Sequence, residues 1–538
     1  MTDLLSITIP ELILVGAACV LFFLGCSRRT AARGVAAWLA LGALLSALVV
    51  SVYALFSAVA PVEMVSGSLR LDNFGRYIRV LGLAVGVILL LLAWPTRADR
   101  TGNSALRFGG DVGEFYAMFL LSIAGLLLVA VADDLIVLFM ALELLSIPTY
   151  IMVSISRPIA AAQEAAVKYF FLGALSIAVM LLGFSYLYGS TGQIRFAEMS
   201  AVLRGSMEAT GALPRWQMFG VILVLIGFAY KMAAFPLHFY AGDVYEGAAT
   251  PVTAFLAFVP KTAGFVALIR LLTVVGGDHF KLPPQILTFL WVLAALTMTI
   301  GNVLALLQNN VKRVLAYSSV AHSGYMLVGI AALFPHLQRP DPRPLALSGV
   351  LFYLAAYGIM NCGVFGVLML LPARDGRDDS AETFEELAGQ GRRHLGLGLG
   401  MAVCCLSLIG IPLTVGFLGK LMLIRPALAG GLTWLAIILV INAAVSATYY
   451  LHIIGVMFLR SEGAVDEQGL SGEAAMRRPQ FAVGLGVVLS VIGTLLFGAV
   501  PPAAQILTYG AELGAEISCA QPIAPPATGP GRLAADSP

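Results

Sequence analysis

Charge is scarce in this sequence: Asp, Glu, Lys and Arg make up 12% of its 538 residues, against 59% hydrophobic residues and a mean hydropathy of +0.91. Soluble globular domains carry about 25% charged residues, so an ordinary water-exposed enzyme is excluded. The charge that exists nearly cancels, to a net +2, so nothing points to nucleic acid or a strongly acidic partner. Cysteine is equally sparing of signals. Cys19, Cys26, Cys362, Cys404, Cys405 and Cys519 show no C-x-x-C pair and no repeated ligand spacing, so no metal, cluster or disulfide is assigned. The start, Met1-Thr2-Asp3, lacks the basic segment of a cleaved signal. The first apolar run is therefore read as a retained membrane helix, with Glu11 at the membrane surface.

What the sequence has in abundance is long apolar runs. A bilayer core of about 30 Å needs about 20 apolar residues per helix. Runs of that kind lie near 7–26, 35–59, 76–94, 114–132, 134–155, 164–188, 217–237, 249–275, 286–307, 313–334, 348–371, 398–424, 432–459 and 481–506. The fold class is thus an all-α polytopic membrane protein with about 14 transmembrane helices. The polar stretches 189–216 and 372–397 and the Pro-, Ala- and Gly-rich tail from 507 are too short for a separate catalytic domain. Basic residues gather in the loops of one side, among them Arg28, Arg29, Arg97, Arg100, Arg107, Arg157, Lys312, Arg392 and Arg393. The positive-inside rule places these in the cytoplasm and both termini outside it.

Nearly all of the 26 arginines lie in loops, with Arg79 and Arg270 near span ends, while four of the six lysines, Lys168, Lys231, Lys261 and Lys420, fall inside the apolar runs. A lysine at a helix centre costs about 2.5–3.5 kcal/mol on insertion scales. Such residues persist where they face protein or water. A buried ammonium can also give up its proton near neutral pH, which a guanidinium does not. Lys168 has an ordinary alternative, because it lies four residues into its span and one turn after Glu164, from where it can reach the surface. Lys261, in the middle of Phe258-Val259-Pro260-Lys261-Thr262, is too deep for that. Glu143 lies midway along the fifth span and is expected to pair with Lys231 or Lys168. His238 and His322 are candidate proton relays, whereas Asp243 and Glu246 read as solvated loop acids.

The seventh and twelfth spans each combine a lysine with a disrupting proline, Lys231 with Pro236 and Lys420 with Pro412. Paired interruptions of this kind point to duplicated transporter halves with discontinuous helices. Spans four to eight and nine to thirteen would form two five-helix repeats, the odd number inverting the second. The expected organisation is an N-terminal three-helix segment (1–110), a first repeat (114–275), a second repeat (286–460), and a last helix with its tail (481–538).

Particular motifs then resemble a known family. Tyr230-Lys231-Met232-Ala233-Ala234-Phe235-Pro236-Leu237-His238, followed by Asp243-Val244-Tyr245-Glu246-Gly247-Ala248-Ala249-Thr250-Pro251-Val252-Thr253-Ala254-Phe255, is similar to the antiporter-like membrane subunits of respiratory NADH-quinone oxidoreductase (complex I). Further matches are Glu164 to Phe170, Leu315 to Tyr325 and Gly410 to Lys420, so the likeness covers almost the whole chain. The D-V-Y-E-G-A run and the lysine at 420 resemble the N branch of that family more than its M and L branches. Phe239-Tyr240-Ala241-Gly242 departs from the usual pattern, which has a Trp and a Pro there. The resemblance implies proton translocation by this chain in a bacterial inner (plasma) membrane. It also implies NADH, FMN, iron-sulfur clusters and quinone on partner subunits, no cofactor on this one, and neighbouring antiporter-like subunits as partners. Carried over, Glu143 would be the ionisable partner of Lys231, Lys261 the central relay and Lys420 the exit-side lysine, with Lys168 and His238 supporting the first pair. A multisubunit cation/proton antiporter or a membrane-bound hydrogenase is the alternative.

Overall fold

The computed structural model of the chain describes residues 2–26, 30–56, 64–94, 111–157, 159–276, 282–334, 343–371, 382–460 and 481–515. Cys519 and several loop arginines used to orient the chain, including Arg28, Arg29, Arg97, Arg100 and Arg107, lie outside them. Apolar segments that cannot turn to water for hydrogen bonds must satisfy their backbone internally, and here they do so as helices. α1 (Thr2–Gly25), α2 (Thr30–Phe56) and α3 (Asn73–Leu92) form an N-terminal group. Next come α4 (Val112–Val131), α5 (Leu135–Ile155), α6 (Ala160–Thr191), α7 (Phe196–Thr210), α8 (Arg215–Lys231), α9 (Tyr240–Gly247) and α10 (Thr250–Gly276). They are followed by α11 (Pro284–Leu306), α12 (Val311–Ala332), α13 (Arg343–Leu370), the one-turn helices α14 (Phe384–Leu387) and α15 (Gln390–Arg393), α16 (Leu395–Ile409), α17 (Val415–Ala429) and α18 (Thr433–Leu459). α19 (Phe481–Ala499) and α20 (Pro501–Gly514) complete the described helices.

Among the described residues, twelve helices are long and apolar enough to cross a membrane. The other two expected spans are interrupted: α8 stops at Lys231 before α9 begins at Tyr240, and α16 stops at Ile409 before α17 begins at Val415. Three local features depart from expectation. Met64–Ser66 (β1) and Leu69–Leu71 (β2) pair antiparallel, because Gly67, at φ 62°, supplies the left-handed position of a two-residue turn. The run read as 481–506 ends at Ala499, where prolines at the first positions of α20 start a separate helix. Glu11 is not a surface residue: it is 3% exposed and bonded to Arg79 on α3 at 2.5 Å. Near the same hairpin end, Arg270 on α10 grips both carboxylate oxygens of Asp72, at 2.6 and 2.8 Å.

Every residue of α10, and every residue of α12 but Arg313, is buried, so these two helices form the centre of the molecule. The outer helices α1, α2, α6, α18 and α19 expose apolar side chains such as Phe23, Tyr53, Phe171, Trp434 and Phe481, as a lipid-facing surface requires. α4 packs on α5 and α6 on α8, while α11 packs on α12 and α13 on α16 and α17. Helices in lipid approach closely where side chains are small. A Cβ on Gly125 would lie 2.5 Å from the Leu145 backbone nitrogen, and one on Gly324 would lie 2.5 Å from that of Met298.

Candidate functional site

The two interruptions place lysines beside backbone that a continuous helix would have hidden. At the first, Ala233 adopts φ 54° and the Phe235–Pro236 bond is cis. Backbone groups freed at membrane depth need partners, and neighbouring helices provide them: Ser323 on α12 donates to the Met232 carbonyl at 2.7 Å, and Phe235 N–H donates to Thr297 Oγ1 on α11 at 3.1 Å. At the second, Gly410 and Leu413 have φ 89° and 71°. Here the lysine itself is the partner. Lys420 Nζ donates to the carbonyls of Leu408 and Ile409 at 3.0 and 2.8 Å. Those are the last carbonyls of α16, the negative end of its dipole, which favours a cation.

Lys231, the last residue of α8, lies 4% exposed with its Nζ 3.9 Å from Glu143 Oε1 on α5. It also donates to Ser146 Oγ, one turn along α5 from Glu143. Of the two partners open to Glu143, the structure selects Lys231. Lys168 on α6 instead bonds Glu164 and Asp243, each at 2.7 Å, with 42% of its side chain exposed. The surface-reaching alternative therefore describes Lys168 better than direct support of the pair. His238 lies buried in the first interruption beside Phe235 and Phe239, and its Nδ1 makes no hydrogen bond to any described residue.

Lys261 projects from the middle of α10, one turn before Gly264, where a Cβ would lie 3.0 Å from the Lys231 Cβ. Its Nζ donates to Ser319 Oγ on α12. Ser319 Oγ also accepts from Tyr357 Oη on α13 at 2.6 Å. One turn on, His322 contacts Tyr353 Oη through Nδ1 at 2.7 Å and Tyr450 Oη through Nε2 at 3.2 Å. Its ring lies 5.4 Å from that of Tyr325, and Lys420 Nζ stands 4.9 Å above the Tyr325 ring, within cation–π range. Glu143, Lys231, Lys261, His322 and Lys420 thus follow one another through the buried centre. The hydroxyls between them, Ser146, Ser319, Tyr353, Tyr357 and Tyr450, escaped the sequence reading. The only signal was spacing, since Ser146 and Ser319 lie one helical turn from Glu143 and His322.

A second charged group lies where α5 ends and α9 meets α12. Lys312, read above as a loop cation, is fully buried and donates to the carbonyls of Glu246 and Ala248 at 3.0 and 2.7 Å. Glu382 joins Lys312, at 3.1 Å, to Arg157, at 2.5 Å. Burial would raise the pKa of Glu382, but Lys312 and Arg157 outweigh it and hold the carboxyl below its ordinary value. Asp243 and Glu246 are not simply solvated: they lie on α9 and share Arg313, at 2.9 and 2.8 Å. Among the described residues, no three of His, Cys, Asp and Glu gather closely enough to hold a metal ion.

The chain that carries this arrangement has known relatives. Residues 132–446 match the family model described as NADH:quinone oxidoreductase/Mrp antiporter, transmembrane. The chain belongs to this family. Its antiporter-family relatives include NADH-quinone oxidoreductase subunit N of Trichlorobacter lovleyi, 36% identical over 92% of this chain and 94% of the relative. The protein of the same name from Myxococcus xanthus is 36% identical over 93% and 96%. Among solved structures, a chain of respiratory complex I from Thermus thermophilus superposes with a TM-score of 0.71 at 28% identity, covering 93% of this chain and 98% of that one. A chain of the Mrp complex from Dietzia gives 0.75 at 21% identity, covering 94% and 97%, a likeness of fold.

Proposed function

We propose that this chain is the proton-translocating membrane subunit of an NADH-quinone oxidoreductase, of the subunit N type, moving protons while other subunits carry electrons from NADH to quinone. The observation that carries this reading is the buried succession from the Glu143–Lys231 pair to Lys261 and Lys420. Buried intramembrane ionisable residues that pair with one another or with backbone carbonyls mark ion pathways. Glu143 holds Lys231 in its protonated form. A conformational or electrostatic signal from the rest of the complex weakens the pair, and the proton of Lys231 passes through water to Lys261. Ser319 and His322 then lead towards Lys420, where the carbonyl end of α16 receives the charge.

On this reading the chain resides in the bacterial inner membrane with both termini outside the cytoplasm, beside other antiporter-like subunits. Residues 114–275 and 286–460 act as two inverted repeats that open half-channels to opposite faces. Lys261→Ala, made in the whole complex, should abolish proton pumping in reconstituted vesicles while assembly and NADH oxidation by the peripheral subunits survive. Full pumping by that variant would sink the reading. Membership of a cation/proton antiporter instead predicts that the purified chain brings no NADH dehydrogenase activity with it.

A further inference from the structure

Four tyrosines pack ring against ring on one side of the Glu143–Lys231 pair: Tyr150 on α5, Tyr169 on α6, Tyr230 on α8 and Tyr240 on α9. Their ring centroids are 4.6 Å apart for Tyr150 and Tyr169, 5.2 Å for Tyr169 and Tyr240, and 4.6 Å for Tyr230 and Tyr240. Two of the hydroxyl protons are committed to backbone, Tyr230 Oη donating to the Tyr169 carbonyl at 2.8 Å and Tyr240 Oη to the Tyr230 carbonyl at 3.0 Å. Tyr150 differs. It is 6% exposed, yet its hydroxyl has no partner in good hydrogen-bond geometry and interacts only loosely with Ser146 one turn back; Glu143 Oε1 on the same helix likewise lacks a hydrogen bond and meets Lys231 only as a 3.9 Å ion pair. Buried polar groups are almost always well hydrogen-bonded, so two under-satisfied ones on one helix, with Ser146 between them, mark a polar route and not plain packing.

Glu143, Ser146 and Tyr150 share a face of α5, being three and seven residues apart. Helical side chains lean towards the N-terminus of their helix, which aims the Tyr150 ring back towards Ser146 and Glu143. The hydroxyl has room because residue 173 on α6 is glycine: a Cβ there would lie 2.2 Å from the Tyr150 Oη. Tyr150 also stands on the Arg157 side of Ser146 along α5, the side on which the half-exposed Lys168–Asp243 pair lies. We propose that the Tyr150 hydroxyl is the relay through which protons reach the Glu143–Lys231 pair from the Arg157 face, an inference that rests on the proton-moving reading above. Its oxygen accepts a proton from hydrated protons entering on that face. As that O–H bond forms, the original O–H bond breaks and its proton passes by way of Ser146 Oγ to the neutral Lys231 amine. Tyr150 ends as it began, and Lys231 ends charged beside Glu143.

The test uses the whole complex in membrane vesicles and reads NADH oxidation and proton uptake together for Tyr150→Phe, Gly173→Ala and Lys231→Ala. Tyr150→Phe keeps the ring and removes the oxygen; Gly173→Ala keeps the oxygen and displaces it. Both should lower the rate of NADH-driven proton uptake about a hundredfold, the low end of what loss of a positioned proton-transfer group costs. The deficit should shrink as external pH falls and more protons reach the pair without the relay. A structural role for Tyr150 would lower assembly without this pH dependence. Normal pumping by Tyr150→Phe beside a pumping-defective Lys231→Ala overturns the relay and leaves the proposed function standing. Normal pumping by Lys231→Ala as well overturns both.

Discussion

The two interrupted spans hold their lysines by opposite means. In the first, Lys231 faces a carboxylate, Glu143, at 3.9 Å and a serine hydroxyl, while the broken backbone is satisfied by Ser323 and Thr297 from neighbouring helices. In the second, Lys420 has no acid beside it among its described contacts; it satisfies the broken backbone itself, through Leu408 and Ile409, and rests over the Tyr325 ring. A carboxylate is a partner whose charge can be taken away by protonation or movement. Backbone carbonyls and a ring face are fixed dipoles that cannot. Under the proposed function, this difference would give the Lys231 site the switching of proton affinity and the Lys420 site a constant, moderate attraction at the far end of the path.

The largest test of this contrast concerns what each lysine leaves behind. Lys231→Ala strands Glu143 in a buried site. Removal of one member of a buried ion pair costs about 3–5 kcal/mol, with the low end expected because the carboxylate can take up a proton instead. Thermal unfolding of the purified complex should show this loss, and Glu143→Gln combined with Lys231→Met should recover most of it without recovering pumping. Lys420→Ala leaves two carbonyls without a donor, for which a smaller cost of about 1–3 kcal/mol is expected. Equal losses from Lys231→Ala and Lys420→Ala would erase the distinction.

The smallest effect lies at the charged group that ties the halves together. Glu382 has its carboxyl held below the ordinary value by Lys312 and Arg157. A carboxyl depressed in the folded state adds stability that is present above its unfolded pKa, about 4.3, and is lost as pH falls through the folded value. Glu382→Gln should therefore flatten the loss of stability on acidification below about pH 4, measured as melting temperature against pH. An unchanged acid profile would mean that Glu382 does not join the two halves energetically.

Much of this was legible residue by residue. Lys231, Lys261, Lys420 and Glu143 stood out because a charge inside an apolar run is locally conspicuous, and Pro236 and Pro412 announced the interruptions beside two of the lysines. Lys312 and Glu382 did not stand out, since charges at the ends of spans look like solvated loop residues until the packing of α9 against α12 buries them. Glu11 misled for the same reason: its partner Arg79 lies 68 positions away. Ser319 and Tyr357 carried no signal of their own, hydroxyls being common in membrane helices, and became interpretable only beside Lys261.

Composition and apolar run length alone determined that this is a helical membrane chain with titratable cations inside and arginines kept to the margins. Those properties follow from local hydrophobicity, which every stretch of about 20 residues reports by itself. Tertiary structure alone decided which group each lysine faces. Glu143 could have met Lys168 or Lys231, and only the packing of α5 and α8 chose, because pairing depends on how distant helices lie against one another, for which no local pattern codes.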